Sequence, residues 1–168
     1  MKLFFLLLIA ACLYSCSTTI YVVRHAEKAP SDGTMNSDPD ISNAGQQRAL
    51  ALRDTLHTKD LDNIFASQFK RTLQTAQPTG TEKNIIINRY NTTASDSLIE
   101  ALSHKQSKKF LVVGHSNTTI SMLKKIGLNP SIQQIPENDF DNLFIVRISW
   151  FFGRSIRLTE TTYGAVSP

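Results

Sequence analysis

The sequence predicts an α/β protein, a three-layer α/β/α sandwich whose mostly parallel sheet closes with an antiparallel C-terminal hairpin. Three features predict it. The runs Ile20-Tyr21-Val22-Val23 and Phe110-Leu111-Val112-Val113 are apolar at every position, as parallel strands covered on both faces are. Short apolar segments of this kind alternate with stretches whose apolar residues recur at helical spacings. Near the C-terminus, two strand-like segments flank Gly153, which turns the chain back on itself. At 168 residues the chain has the size of one domain, and 41% hydrophobic with 19% charged residues suits a globular one.

The first residues stand apart from that domain. Lys2 precedes an apolar stretch, 3–11, that is too short to span a bilayer. Leu13-Tyr14-Ser15-Cys16 follows, with leucine three before the cysteine and a small residue directly before it. The segment resembles a bacterial lipoprotein signal, and a plain secretory signal cut near Ser15 is the alternative. The organisation expected is a signal peptide over 1–15, a lipidated Cys16 with a short tether over 16–19, and the folded domain over 20–168. Cys12 then leaves with the signal and Cys16 carries lipid, so no disulfide forms in the mature chain. Ser17 after the cysteine, by the same resemblance, points to the outer membrane and a domain facing the periplasm. The formal charge of +4 is spread along the chain without a basic cluster, which argues against nucleic acid as a partner.

Within the domain the polar segment 26–40, with Pro30, Gly33 and Pro39, reads as a loop. Ser42 is placed to cap a helix over 43–57, with Ala49, Leu52 and Leu56 on its inner face. Ile64-Phe65-Ala66 reads as a strand, and a helix over 69–77 is expected to stop at Pro78 and Gly80. Ile85-Ile86-Ile87 reads as the third strand, 91–95 as a loop and 96–105 as a helix with Leu98, Ile99 and Leu102 inward. After the strand 110–113, a helix over 117–126 ends at Gly127. Strands at 143–149 and 155–159 complete the sheet. Trp150-Phe151-Phe152 at their turn either packs under the sheet edge or meets a membrane surface.

Ligands of open α/β sheets bind beyond the carboxyl ends of the strands. Arg24 and His25 follow the first strand there, and Gly114-His115-Ser116-Asn117 follows the fourth. Between them lies Ser67-Gln68-Phe69-Lys70-Arg71-Thr72-Leu73-Gln74-Thr75-Ala76. Two imidazoles and two guanidinium groups at one sheet edge form a set suited to a phosphoryl group. Its three nonbridging oxygens need positioning and charge stabilisation more than covalent help. These three segments, in this order, resemble the histidine phosphatase superfamily, the phosphoglycerate mutase-like proteins, over nearly the whole mature chain. Ile41-Ser42-Asn43-Ala44-Gly45 resembles that family's entry to its first helix.

The resemblance implies a phosphatase that hydrolyses phosphomonoesters without cofactor or metal and acts on a small phosphorylated substrate. His25 is the expected nucleophile, a backbone carbonyl fixes its tautomer, and a phosphohistidine intermediate forms. Arg24 and Arg71 grip the phosphoryl oxygens, and His115 donates to one of them. Ser42 and Asn117 are either phosphate contacts or simple helix openers. Glu27 is expected to pair with a site arginine or with Lys28, itself a rim residue. The leaving-group acid is expected at Asp96, with Glu100 as the alternative, or is absent. Absence would suit a phosphohistidine protein phosphatase, and a phosphate-binding lipoprotein without catalysis is a further possibility. His57 and His104 are expected at the surface.

Overall fold

The structure, a computed structural model, describes residues 17–30, 38–150 and 153–167. Residues 1–15, expected as a signal peptide, Cys16, Phe151 and Phe152 lie outside the described residues. Six strands form one sheet: β1 (Ser17–Arg24), β2 (Asn63–Ser67), β3 (Ile87–Tyr90), β4 (Lys109–Gly114), β5 (Asn142–Ser149) and β6 (Ser155–Thr162). Among the described residues four α-helices accompany them: α1 (Asn43–Leu56), α2 (Lys70–Lys83), α3 (Ser95–Ser103) and α4 (Ser116–Lys125). The strand order is β3-β2-β4-β1-β5-β6. The pairs β3–β2, β2–β4 and β4–β1 are parallel, whereas β5 runs antiparallel to β1 and β6 to β5. The α/β sandwich with a C-terminal antiparallel hairpin is therefore the observed architecture.

Alternation along the central strands builds the three layers, because successive side chains point to opposite faces. Ile20 and Val22 of β1, with Phe110 and Val112 of β4, pack with Ile99 and Leu102 of α3 and Ile120 and Leu123 of α4. Tyr21 and Val23, with Leu111 and Val113, pack instead with Leu52 and Leu56 of α1 and Ala76 of α2. The two central strands are thus apolar throughout because each face has its own helical layer to fill.

Several boundaries differ from the sequence reading; strand β6, for one, runs to Thr162 rather than 159. Strand β1 begins at Ser17 rather than Ile20. The Thr18 hydroxyl donates to the Lys105 carbonyl, the Thr19 amide donates to that of Lys108, and pairing with β5 extends to Ser17 opposite Ser149. Residues 17–19, expected as part of the tether, belong to the sheet. Helix α2 runs through Pro78 to Lys83, since proline forfeits one helical bond while Thr75, Ala76, Thr79 and Gly80 stay buried. Its real stop is Asn84, left-handed at φ 53°, and Gly80 serves close packing: a Cβ there would stand 3.1 Å from the Ile85 carbonyl oxygen. Strand β3 is consequently Ile87–Tyr90, not 85–87. Ile85 donates its amide to the helix end, Ile86 is exposed, and the polar residues Asn88 and Arg89 suit a sheet edge. The start and stop expected for α4 stand within a residue, with Gly127 at φ 85° just beyond it. Trp150 packs against the apolar layer that includes Ile148.

Candidate active site

The parallel ladder delivers the two histidines side by side. Arg24 is paired with Gly114 in register, and the His25 amide donates to the Gly114 carbonyl at 2.9 Å. One residue further along each chain stand His25 and His115, with ring centroids 5.3 Å apart and nearly perpendicular planes. Gly114 is needed here, since a Cβ would lie 2.9 Å from the Thr118 hydroxyl oxygen. An open cleft of about 300 Å³ is lined by Arg24, His25, Lys28, Phe69, Arg71, Thr92, His115, Ser116, Asn117, Thr118 and Glu137.

Its walls carry cations and few anions. His25 is 4% exposed, and its Nδ1 lies 2.8 Å from the Ala26 carbonyl oxygen. That bond places the proton on Nδ1 and leaves a lone pair on Nε2. Burial, with help from His115, Arg24 and Arg71, pushes the His25 pKa down to about 3. His115 is pushed down to about 4 by burial and by Arg71 and Arg24. Both rings are therefore neutral near pH 7, as a nitrogen nucleophile must be.

Arg24 is almost wholly buried, and much of its fork is engaged by protein. Its Nη1 donates to the Pro136 and Asp139 carbonyls, and Nη2 to the carbonyl and carboxylate of Glu137. Its guanidinium lies 4.3 Å from the Phe140 ring centre, and its buried Nε has no partner. Arg71 stacks 4.4 Å over Phe69, donates to Asp38 at 3.2 Å and reaches His115 Nδ1 at 3.5 Å; its buried Nε is also unpartnered. Buried donors without acceptors, on two arginines beside one cleft, are the feature an oxyanion would satisfy. The N-terminus of α4, Ser116 to Thr118, opens on the same cleft.

The polar residues around Arg71 fasten the segment after His25. Thr75 accepts the Ala26 amide at 2.9 Å and donates to the Arg71 carbonyl. Gln74 accepts the Ile41 amide and donates to Asp40, both at 2.8 Å. The spacing of that motif is thereby explained by the loop it holds.

Other expected residues lie elsewhere. Asp96 is in the first turn of α3 and accepts a bond from Ser121; Glu100 pairs with Lys125. Neither lines the cleft, because both point along the outer α3–α4 surface. Ser42 caps α1 by accepting the Gly45 amide and does not line the cleft. Asn117 does line it, as does Lys28. Glu27 pairs with Arg48 of α1 at 2.7 Å rather than with Lys28 or a cleft arginine. His57 is exposed and pairs with Glu82, and His104 ends α3 at the surface.

Sequence reasoning passed over Ser67, Thr72, Phe69, Glu137 and Arg48. Only Ser67, Phe69 and Thr72 had a signal, since they sit inside the quoted Arg71 segment. Among the described residues no three His, Cys, Asp or Glu side chains are grouped to hold a metal ion, and no helix is long and apolar enough to cross a membrane. A larger groove between α1 and α2, about 800 Å³, contains no histidine.

Known proteins share this fold. Residues 20–100 match the model of the histidine phosphatase superfamily, branch 1. A mycobacterial glucosyl-3-phosphoglycerate phosphatase superposes with a TM-score of 0.70 at 12% identity, over 88% of this chain and 100% of its own. A second mycobacterial structure, hydrolase 2, gives 0.66 at 12% identity over 91% and 93%. The protein histidine phosphatase SixA, solved with tungstate, gives 0.63 at 15% identity over 86% and 96%. No curated protein sequence matches this chain significantly. The family match holds Arg24, His25 and Arg71, and the fold brings His115 beside them; over residues 20–100 the chain is similar to the histidine phosphatase superfamily, and it shares the fold of these solved phosphatases.

Proposed function

We propose that the protein is a phosphatase that hydrolyses phosphomonoesters through a phosphohistidine at His25. One observation carries the reading: His25 is buried and neutral, its proton is committed to the Ala26 carbonyl, and its free Nε2 belongs to a cation-walled cleft. In the first step Nε2 attacks phosphorus and the ester oxygen departs. Arg24 and Arg71 hold the nonbridging oxygens as their charge redistributes. Water then attacks the phosphoramidate and returns inorganic phosphate and neutral His25. Asn117 and the α4 amides contribute further donors to the oxygens. The chemistry assigned to these residues requires no metal.

A second reading draws on the carboxylates. Among the described residues Glu137 alone supplies a carboxylate to the cleft lining, and it lies 3.3 Å from Arg24. A phosphohistidine substrate, whose imidazole departs more readily than an alkoxide, suits such a site. The domain itself is proposed to be held in the cell envelope by lipid on Cys16, at the outer membrane facing the periplasm. The signal-like residues 1–15 support that placement.

The test is turnover of an aryl phosphate in the presence of a chelator, followed by acid-stable or alkali-stable trapping of labelled phosphate. Alkali-stable label on His25 and loss of turnover in His25→Ala are expected. Label on another residue, or undiminished turnover, removes the reading. Faster release from a phosphohistidine peptide than from any alkyl ester would favour the second. Mass spectrometry of the N-terminal peptide, and release of Cys16→Ala from membranes, tests the anchor.

A further inference from the structure

Behind His115, on the side away from His25, lies a buried chain of hydroxyl groups. His115 Nε2 is 2.8 Å from Ser67 Oγ, and Ser67 Oγ is 2.9 Å from Thr72 Oγ1. Thr72 Oγ1 is in turn 2.7 Å from the Phe69 carbonyl oxygen and 3.0 Å from that of Ser67. Ser67 and Thr72 are fully buried, so no solvent competes for these bonds. A carbonyl can only accept, so Thr72 spends its single proton there. Ser67 must then give its proton to Thr72 Oγ1, and its own oxygen is left to accept from His115 Nε2.

The other ring nitrogen supports the same direction. His115 Nδ1 faces Arg71 Nη2 at 3.5 Å, and a guanidinium can only donate. A proton on Nδ1 would face a cation, whereas a lone pair there is matched to it.

From this geometry we infer that Ser67 and Thr72 are positioning residues that hold His115 as its Nε2–H tautomer, so that the cleft binds a phosphate bearing one proton. The reasoning rests on the phosphatase reading of the site. His25 carries its proton on Nδ1 and His115 on Nε2, so each ring turns a lone pair toward the anion. A fully ionised phosphate would set an oxygen against the His115 lone pair. A singly protonated one donates its P–O–H to Nδ1, the reverse of the donation from His115 that the family resemblance implies. If the proton transfers, the O–H bond breaks, the Nδ1–H bond forms, and an imidazolium faces the dianion with Nε2–H still on Ser67. The groups facing His115 are His25, Arg24, Arg71, Lys28 and Asp38. Most are cationic or neutral, so the ring stays unprotonated until the anion arrives.

The experiment needs the wild-type protein first. Long-range proton–nitrogen spectra of ¹⁵N-histidine-labelled protein at pH 7.5 should show His115 as Nε2–H and His25 as Nδ1–H. Calorimetry with phenylphosphonate, an ester analogue that is not hydrolysed and whose dianion carries no proton, in buffers of different ionisation enthalpy should show uptake of about one proton per ligand at pH 8. That uptake should approach zero at pH 5.5, where the free phosphonate already carries its single proton. Ser67→Ala should lose the fixed tautomer and bind the phosphonate at pH 8 about tenfold more weakly, and Thr72→Val should move the tautomer signals the same way. Thermal unfolding of both variants separates this from loss of fold. His115 found as Nδ1–H in the wild type, no proton uptake at pH 8, or no phosphonate binding at pH 5.5 overturns the inference. Opposite tautomers with normal proton uptake, but no label on His25 in the trapping experiment, would overturn the catalytic reading alone.

Discussion

Mild acid should destabilise this protein by an amount that the two cleft histidines set. Both rings are buried and neither touches a carboxylate. Burial, reinforced by the arginines, lowers His25 to about 3 and His115 to about 4. In the unfolded chain each returns to about 6.5. Between those values the unfolded state binds more protons than the folded one. Stability is therefore full above about pH 6.5 and is lost as pH falls toward the folded values. Going from pH 7.5 to 4.5, each ring removes about 2.5 kcal/mol, or about 5 kcal/mol for the pair, at about 1.4 kcal/mol per pH unit. Urea unfolding followed by the fluorescence of Trp150 measures this at several pH values. His25→Asn changes the absolute stability for several reasons, but its pH dependence should be shallower than wild type by about 2.5 kcal/mol over the same interval. The double variant with His115→Asn should be shallower by about twice that. Parallel curves for wild type and both variants would refute the assignment of neutral, desolvated rings.

Three further outcomes are expected. Arg48→Met strands the Glu27 carboxylate and the Tyr163 and Ala165 carbonyls, and urea titration should show a loss of about 3–5 kcal/mol, as for other broken buried pairs. Adding Glu27→Gln should restore part of it. Gly45→Ala drives a Cβ into the Glu27 carbonyl oxygen, so the loop after His25 must shift. Thermal unfolding should reveal a loss of about 1–3 kcal/mol, with turnover falling in parallel. Arg24→Lys replaces a planar fork on three carbonyls by a single ammonium. Hydrogen exchange at residues 137–140 should accelerate at least about tenfold while β4 remains protected.

The sequence exposed the central sheet because β1 and β4 are covered on both faces, and continuous apolarity is what such burial demands. It exposed His25, Arg24 and His115 for a related reason: they directly follow those strands, and the ends of parallel strands meet. Edge elements were harder to read. Just before β3, Ile85 serves the helix's termination and Ile86 is exposed, and the strand that follows is mostly polar. Pro78 misled because local helix cost competes with buried packing, and only the fold shows which wins. Ser67 and Thr72 were invisible as functional residues, since a buried hydroxyl has no meaning until its neighbours are known. The acid expected at Asp96 illustrates the converse. Its position after β3 is close in sequence to the cleft wall at Thr92, yet one turn of helix directs it to Ser121.

Residues 163–167 act as a splint for the cleft wall. The Tyr163 amide donates to the Asp141 carbonyl, the Ser167 amide to the Asp141 carboxylate, and the Ser167 hydroxyl oxygen accepts from Phe140. Arg48 clasps the Tyr163 and Ala165 carbonyls while holding Glu27, two positions from His25. An affinity handle grafted directly onto this stretch would pull on the same brace that steadies the nucleophile's loop and the carbonyls gripped by Arg24. Handles for purification or imaging therefore belong behind a long flexible spacer, and loss of turnover on trimming the C-terminus would be a mechanical consequence rather than a sign of a missing reactive group.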